Sequence, residues 1–424
     1  MINRLIRIGA LLTGFVAGGV LAAARGLPSP HEADAAEERR EQGEEASRSR
    51  SFVRIAKLFI LFLVILGFGG LLIATSGIIP IKASSSHWPI TRWFLHFAKE
   101  RSVATHSLGL EAPPLDEPGL ALKGAGHYEF GCRPCHGSPA LARPRVAWQM
   151  TPSPPYLPPK VSEWENEELF YIVKHGIRFT GMPAWPAQQR DDEVWAMVAF
   201  LRKFPKLNAE EYTRMARGEA AESVEAAPLP GLLGPESVPP AITTSCARCH
   251  GVNGLGRGLG AFPKLAGQNF DYLDQSLQAY ARGQRHSGVM QPIAAGLSDE
   301  EMRELARYYA NLPRPSPSPS QATSAIERGK IISLQGIPSQ QVPACAACHG
   351  PGALPRNPVF PELAGQYSDY LVLQIEIIKK GLRGGTAYAH VMRQVAVGLT
   401  PEQMHDAALY YDSLSSSSDA HRRN

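Results

Sequence analysis

The chain of 424 residues has only six cysteines, and none is left over once three short motifs are set aside. It also lacks a strong charge of either sign, since 43 Lys and Arg against 39 Asp and Glu leave a formal net charge of +4. No basic run carries interleaved aromatics, so the usual footprint of a nucleic-acid partner is missing. Nucleophilic, paired-carboxylate and phosphate-loop chemistries find no support either. Residues 254–260, Gly-Leu-Gly-Arg-Gly-Leu-Gly, have the glycine content of a nucleotide loop but follow a cysteine motif rather than a strand, and read as a turn. A disulfide framework belongs to short secreted domains, not to a long chain with widely separated cysteine pairs. A lone C-x-x-C can be a redox dithiol or half a zinc site, but zinc needs four N or S ligands and each pair has only one histidine close by.

What is present is one design used three times: Cys132-Arg-Pro-Cys135-His136, Cys246-Ala-Arg-Cys249-His250 and Cys345-Ala-Ala-Cys348-His349. In C-x-x-C-H the two thiols are spaced to add across the vinyl groups of one haem, and the adjacent histidine lies under the iron as an axial ligand. Three copies predict three covalently bound c-type haems. The 39 glycines and 36 prolines gather in linkers and loops, which suits small domains whose cores are partly cofactor.

Residues 1–51 contain a signal-like apolar run at 8–24, behind Arg4 and Arg7, and a charged stretch at 31–50. Residues 52–81 are far more apolar and are expected to cross a bilayer as one helix. Haem is attached outside the cytoplasmic membrane in bacteria, so the rest of the chain is expected in the periplasm, with Arg48, Arg50, Arg54 and Lys57 kept inside. A second crossing at 8–24 would reverse this. That run is therefore expected not to cross, unless the assigned start codon lies upstream of the real one. Residues 82–118 read as a juxtamembrane linker in which Trp88, Trp93, Phe94 and Phe97, beside Arg92 and Lys99, suit a headgroup boundary. His87, His96 and His106 belong to that belt rather than to a ligand set.

The first haem domain is placed at 119–207. A helix over 120–130 leads into Cys132, and helical periodicity returns at 164–174 and 191–204, where Asp191 and Asp192 suit the helix start through its dipole. Met182, in the fixed loop Gly181-Met182-Pro183, is the predicted second ligand of the first iron; a soft, neutral thioether raises the potential relative to a second histidine. Met197 competes from a helical run where methionine is usually core, and Met150 from the edge of the proline-dense residues 151–159. A linker over 208–240, a second haem domain over 241–313, a Pro/Ser linker over 314–322, a third haem domain over 323–414 and a tail over 415–424 complete the chain.

An internal repeat covers the second and third domains. Phe262-Pro-Lys-Leu-Ala-Gly-Gln268 returns as Phe360-Pro-Glu-Leu-Ala-Gly-Gln366, and Met290-Gln-Pro-Ile-Ala-Ala-Gly-Leu-Ser298 as Met392-Arg-Gln-Val-Ala-Val-Gly-Leu-Thr400. Ser298 and Thr400 read as N-caps with Glu301 and Gln403 three residues on. The repeat selects Met290 and Met392 as iron ligands at equivalent loop positions. Met302 and Met404 are equivalent too, but lie in closing helices and suit the core. Arg257, Lys264, Arg282 and Arg285 read as a solvated surface, with haem propionates or an acidic partner as the alternative.

These residues resemble class I cytochromes c, and residues 241–414 resemble diheme cytochromes of the c4 kind, including the Leu-Ala-Gly-Gln segment and the Met-x-x-(Ile/Val)-Ala loop. The first domain is similar to single-haem modules with a Gly-Met-Pro loop that accompany bacterial respiratory complexes. The resemblance implies an all-α fold, here one transmembrane helix followed by three class I domains, with irons held by His/Met and electrons exchanged at an exposed haem edge. The membrane helix and third domain depart from the diheme pattern and leave the partner open. The expected function is one-electron relay towards a terminal oxidase from a quinol-oxidising complex or another cytochrome. An electron-transfer subunit of a periplasmic quinoprotein or molybdenum dehydrogenase is the alternative. A peroxidase would need an open sixth position, which one placed methionine per haem argues against.

Overall fold

The computed structural model describes residues 30–79, 81–82, 84–117, 119–218, 239, 241–258, 260–314, 323–351 and 356–414. The signal-like run, most of the 208–240 linker, the Pro/Ser linker after Arg314 and the tail lie outside them. Among the described residues the chain is helical, with isolated β-bridges and no strand. It falls into two compact units, Met1–Lys82 and Ala83–Asn424.

The first unit holds a single 46-residue helix, α1 (Pro30–Thr75). Its portion 38–75 contains the stretch apolar enough to cross a membrane. At ~1.5 Å per residue the part beyond residue 52 exceeds the ~30 Å apolar thickness of a bilayer. Two differences from expectation have local causes. The charged stretch is helical as well, since Glu, Arg and Ala are good helix formers. The helix stops at Thr75 rather than 81 because Gly77 turns left-handed (φ 70°) and the Ser76 hydroxyl accepts from Ile78 N.

The second unit opens with α2 (Pro89–His106), which exposes Trp93, Phe94 and Phe97 together with its N-cap Trp88 and stacks His106 on Tyr171 (5.5 Å). Around the first motif, α3 (Leu120–Gly131) crosses α5 (Asp191–Lys203), while α4 (Asn166–His175) lies between them in sequence. Gly124 permits the crossing: a Cβ there would stand 2.6 Å from Phe200 Cβ and 2.8 Å from the Ala196 carbonyl carbon. The expected linker begins instead with a helix, α6 (Ala209–Arg217), whose Tyr212 and Ala216 are buried with Tyr128, Phe200 and Phe204 in one core. The signal was available in Asn208 and Glu211, which close a capping box at its start.

Residues 241–414 carry two similar arrangements. Short helical turns hold the motifs at Ala247–His250 and Ala346–His349. α7 (Phe270–Ala281) packs on α8 (Asp299–Asn311), and α10 (Ser368–Lys379) packs on α11 (Pro401–Asp412), which also crosses α9 (Ser324–Gln335). Gly329 does in α9 what Gly124 does in α3, a Cβ there standing 2.5 Å from the Asp406 carbonyl carbon. Ser298 and Thr400 cap α8 and α11 and close capping boxes with Glu301 and Gln403.

Candidate cofactor sites

Each C-x-x-C-H motif ends a helical turn on a left-handed glycine, Gly137, Gly251 or Gly350, with φ of 71°, 76° and 72°. One hydrogen bond then holds the histidine and a second holds the glycine that follows it. In each copy the imidazole Nδ1 lies against a proline carbonyl: His136 on Pro155 (2.8 Å), His250 on Pro263 (3.1 Å) and His349 on Pro361 (2.9 Å). Since a carbonyl can only accept, Nδ1 carries the proton and Nε2 keeps its lone pair for a metal. Burial lowers the pKa of all three imidazoles, which favours the neutral, ligating form. A buried tyrosine also donates to the carbonyl of each motif glycine: Tyr128 to Gly137 (2.7 Å), Tyr309 to Gly251 (3.2 Å) and Tyr411 to Gly350 (2.6 Å).

Sequence reasoning missed these supports. The proline-dense residues 151–159 served only as an argument against Met150, yet Pro155 fixes the first histidine. The Phe-Pro pair of the repeat and the glycine after each histidine were the legible signals.

The structure brings Cys246, Cys249, His250 and Met290 together with Cys345, Cys348, His349 and Met392 around one cavity of about 380 Å³. Cys132, Cys135, His136 and Met182 lie outside that cavity. Met182 sits in a loop pinned to the end of α4, with Ile177 N donating to Met182 O (3.2 Å) and Trp185 N to Lys174 O (2.9 Å). Met197, Met302 and Met404 are buried core residues. Met150 shares the site of its rival, its methyl packing on Gly181.

The six thiols are unpaired. Burial pushes Cys132 up to about 12 and Cys246 and Cys249 to about 11, the opposite of the depressed values of a redox dithiol. Among the described residues no three His, Cys, Asp or Glu side chains gather as a metal cluster. A group that takes two thiols covalently and one imidazole at its metal matches this donor set; free metal ions do not.

A family model described as "Cytochrome C oxidase, cbb3-type, subunit III" matches residues 119–201 and 241–308. A thiosulfate dehydrogenase electron acceptor of Thiomonas intermedia is 36% identical over 170 residues, which are 40% of this chain and 78% of the relative. The chain belongs to the cytochrome c family. A cytochrome c4 of Thiocapsa roseopersicina is 33% identical over 173 residues, 40% of this cytochrome and 87% of that one. The solved cytochrome c4 of Acidithiobacillus ferrooxidans is 35% identical, with 40% of this chain and 98% of that one covered at a TM-score of 0.35.

A cytochrome c carries covalently bound haem, which supplies one-electron exchange at its iron. The cavity walls fit such a group. Arg285 and Lys264 are buried rather than solvated, a correction to the surface expected of them, because they meet the other half of the tandem. Arg285 donates to Ser276 Oγ (2.9 Å), Arg383 donates to the Tyr272 hydroxyl (2.5 Å), and neither is ion-paired with a carboxylate among the described residues. Burial alone would raise the Tyr272 phenol, but the Arg383 and Arg285 guanidiniums bring it down to about 8. Buried cations without anions beside a cavity suit a cofactor that brings its own carboxylates.

The repeat's glutamines explain how the two halves meet. Gln268 donates to Glu362 O (2.9 Å) and accepts from Glu362 N (2.8 Å), while Gln366 donates to Lys264 O (2.9 Å) and accepts from Lys264 N (3.1 Å). Each reaches across to the position that the other's module holds in its own Phe-Pro-x-Leu segment.

Proposed function

We propose that this cytochrome is a membrane-anchored, triheme electron relay. Cys132 and Cys135, Cys246 and Cys249, and Cys345 and Cys348 would attach the haems, with His136 and Met182, His250 and Met290, and His349 and Met392 as axial pairs. The observation that carries the reading is the threefold recurrence of one support: a histidine whose Nδ1 is spent on a proline carbonyl and whose motif glycine is held by a buried tyrosine. The chain holds no further chemistry of its own in this role; its side chains position the cofactors and tune them. α1 would hold the relay at the bacterial cytoplasmic membrane, with the haem domains in the periplasm, near a terminal oxidase or a quinol-oxidising complex.

A second reading has a specific support. The Thiomonas relative is named as an electron acceptor of thiosulfate dehydrogenase, so an electron-accepting subunit for a periplasmic dehydrogenase is the competing role. Intact-mass analysis of the purified protein is expected to show three haem additions; two or fewer refutes the triheme reading. Met182→Ala, Met290→Ala and Met392→Ala are each expected to remove one third of the far-red sulfur-to-iron absorbance. If Met150→Ala does so and Met182→Ala does not, the first assignment is wrong. Purification from native membranes decides the partner, an oxidase or a dehydrogenase travelling with the chain.

A further inference from the structure

The first module and the tandem are not merely strung together; a buried junction ties the loop of Met182 to the turn before Met290, which opens the short helix Met290–Ala295. Glu193, on α5 and 3% exposed, stands at its centre. One carboxylate oxygen accepts from the Trp185 indole N–H (3.2 Å) and from Gly288 N (2.6 Å), and the other accepts from the Ser287 hydroxyl (2.7 Å). Ser287 Oγ in turn accepts from Met290 N (3.2 Å). Trp185 lies three residues beyond Met182, and Gly288 two before Met290. Arg190 ion-pairs with Glu193 (3.1 Å) and donates to His286 O (2.6 Å), so the carboxylate's charge is met by the residue that caps its own helix. Gly288 has to be glycine: a Cβ would stand 2.8 Å from Trp185 Cδ1 and nearer still to Nε1.

Independently, α3 closes one side of the second site. A Cβ at Gly126 would stand 3.4 Å from Cys249 Sγ and 2.7 Å from Phe262 Cζ, so the helix backbone lies against the second attachment cysteine. Its neighbour His127 is buried, lines the cavity beside Met290 and His250, and has no partner for Nδ1. Its ring lies 5.8 Å from that of Trp185. The first module thus supplies part of the wall of the second module's cofactor site.

We infer that Glu193 is a positioning residue that locks the loop of Met182 to the turn leading into Met290, and that Trp185 is the bridging group for electron exchange between the first and second sites. One electron leaves one site and reduces the other, with no bond or proton changing hands. This rests on the proposed pairing of Met182 and Met290 with two irons. A hydrogen-bonded route from loop to loop replaces a gap between modules, and electron exchange falls steeply when such contacts become through-space jumps.

The test uses the full-length protein in detergent, with three haem additions and wild-type far-red absorbance established first, so that a failure of the ligand assignment is told apart from a failure of the junction. One electron is then injected by photoreduction and its redistribution followed. Trp185→Phe, which keeps an aromatic ring but removes the N–H that links it to Glu193, is expected to slow exchange between first and second haems severalfold, leaving exchange between second and third unchanged. Gly288→Ala pushes on Trp185 from the other side and is expected to do the same, and it stands in if Trp185→Phe does not fold. Glu193→Gln removes a buried negative charge that favours the ferric state, so the first and second potentials are expected to rise while the third stays. Unchanged exchange in both Trp185→Phe and Gly288→Ala, or unmoved potentials in Glu193→Gln, overturns the inference.

Discussion

Two glycines set how closely the helices around the first and third sites cross, and replacing them tests whether that approach holds the sites together. In Gly124→Ala the new Cβ would stand 2.6 Å from Phe200 Cβ and 2.8 Å from the Ala196 carbonyl carbon, with the Ala196 oxygen nearer still. Ordinary contact begins near 3.4 Å, so α3 and α5 must part by roughly 1 Å, and neither obstacle is the end of a flexible chain. Overpacking of this kind costs about 1–3 kcal/mol. The same separation strains the aromatic cluster behind it, where the Tyr128 ring lies 4.7 Å from that of Phe204 and 5.2 Å from that of Phe200. For a module of this size 2 kcal/mol corresponds to a fall in Tm of roughly 8–16 °C. Gly131→Ala is the control, because nothing lies within 4 Å of its Cβ. It removes unfolded-state entropy and is expected to be neutral or to add about 0.4–1 kcal/mol. Thermal unfolding followed at the haem absorbance reads both variants, and Gly329→Ala repeats the experiment in the third module. A Gly124→Ala protein that melts with its Gly131→Ala counterpart would refute the account of the crossing.

Gln268→Ala removes two hydrogen bonds to the half-buried Glu362 backbone. At about 1 kcal/mol each, and more where a buried group is left unpaired, the contact between second and third modules is expected to weaken by about 2–4 kcal/mol, seen as faster hydrogen exchange at Glu362 N and not at Gly137 N. Tyr411→Phe leaves Gly350 O without its donor (2.6 Å) and is expected to destabilise the third module by about 1–2 kcal/mol, with Tyr309→Phe acting alike in the second. The Asp192 carboxylate is held well below the ordinary range: burial alone would raise it, but Lys123 (3.0 Å) and Arg190 (2.7 Å) override burial. A depressed carboxylate contributes stability that is complete above its unfolded pKa of ~4 and is lost as pH falls below it. Asp192→Asn is therefore expected to lower the stability of the first module at pH 7 and to flatten its acid-side decline; equal acid sensitivity in the two proteins would exclude Asp192 as a cause.

Cofactor, fold class and the helix-rich order were legible because they rest on local signals: C-x-x-C-H spacing, a 3.6-residue period and capping residues such as Ser298 and Thr400. The repeat singled out Met290 and Met392 by the same logic, but they stand on short helices, Met290–Ala295 and Ala389–Val397, rather than in the loops expected of them, because both segments continue from a turn straight into helical residues; Met302 and Met404 are core. What was not legible depends on partners distant in sequence. Gln268 was visible as a repeated residue, but only the fold shows that it reaches Glu362. Lys264 and Arg285 looked like surface cations because charge is usually solvated, and their burial follows from an interface that no window of sequence contains. Residues 209–217 carried the Ala and Glu content of a linker, yet Tyr212 donates to the buried Glu129 (2.6 Å), which also meets Arg217 (2.8 Å) and Arg133 (3.0 Å).

The contrast between the two module contacts bears on how the chain works as one device. Between second and third modules the contact is reciprocal, Gln268 and Gln366 each spanning the other's backbone, as expected of two copies of one unit facing each other. Between first and second modules the junction around Glu193 has no such matched pair. Around Glu193 the first module gives side chains, Trp185, Arg190 and Glu193, and the second gives His286 O, Ser287 Oγ and Gly288 N, while elsewhere Arg257 of the second module donates to the Arg214 (3.0 Å) and Met215 (2.9 Å) carbonyls of α6. A backbone acceptor or donor asks little of the sequence that provides it, whereas the giving side must keep its glutamate, arginine and tryptophan together. The second module's part in the contact therefore rests on Ser287, on Arg257 and on a glycine where the indole must lie, and Gly288 supplies that space.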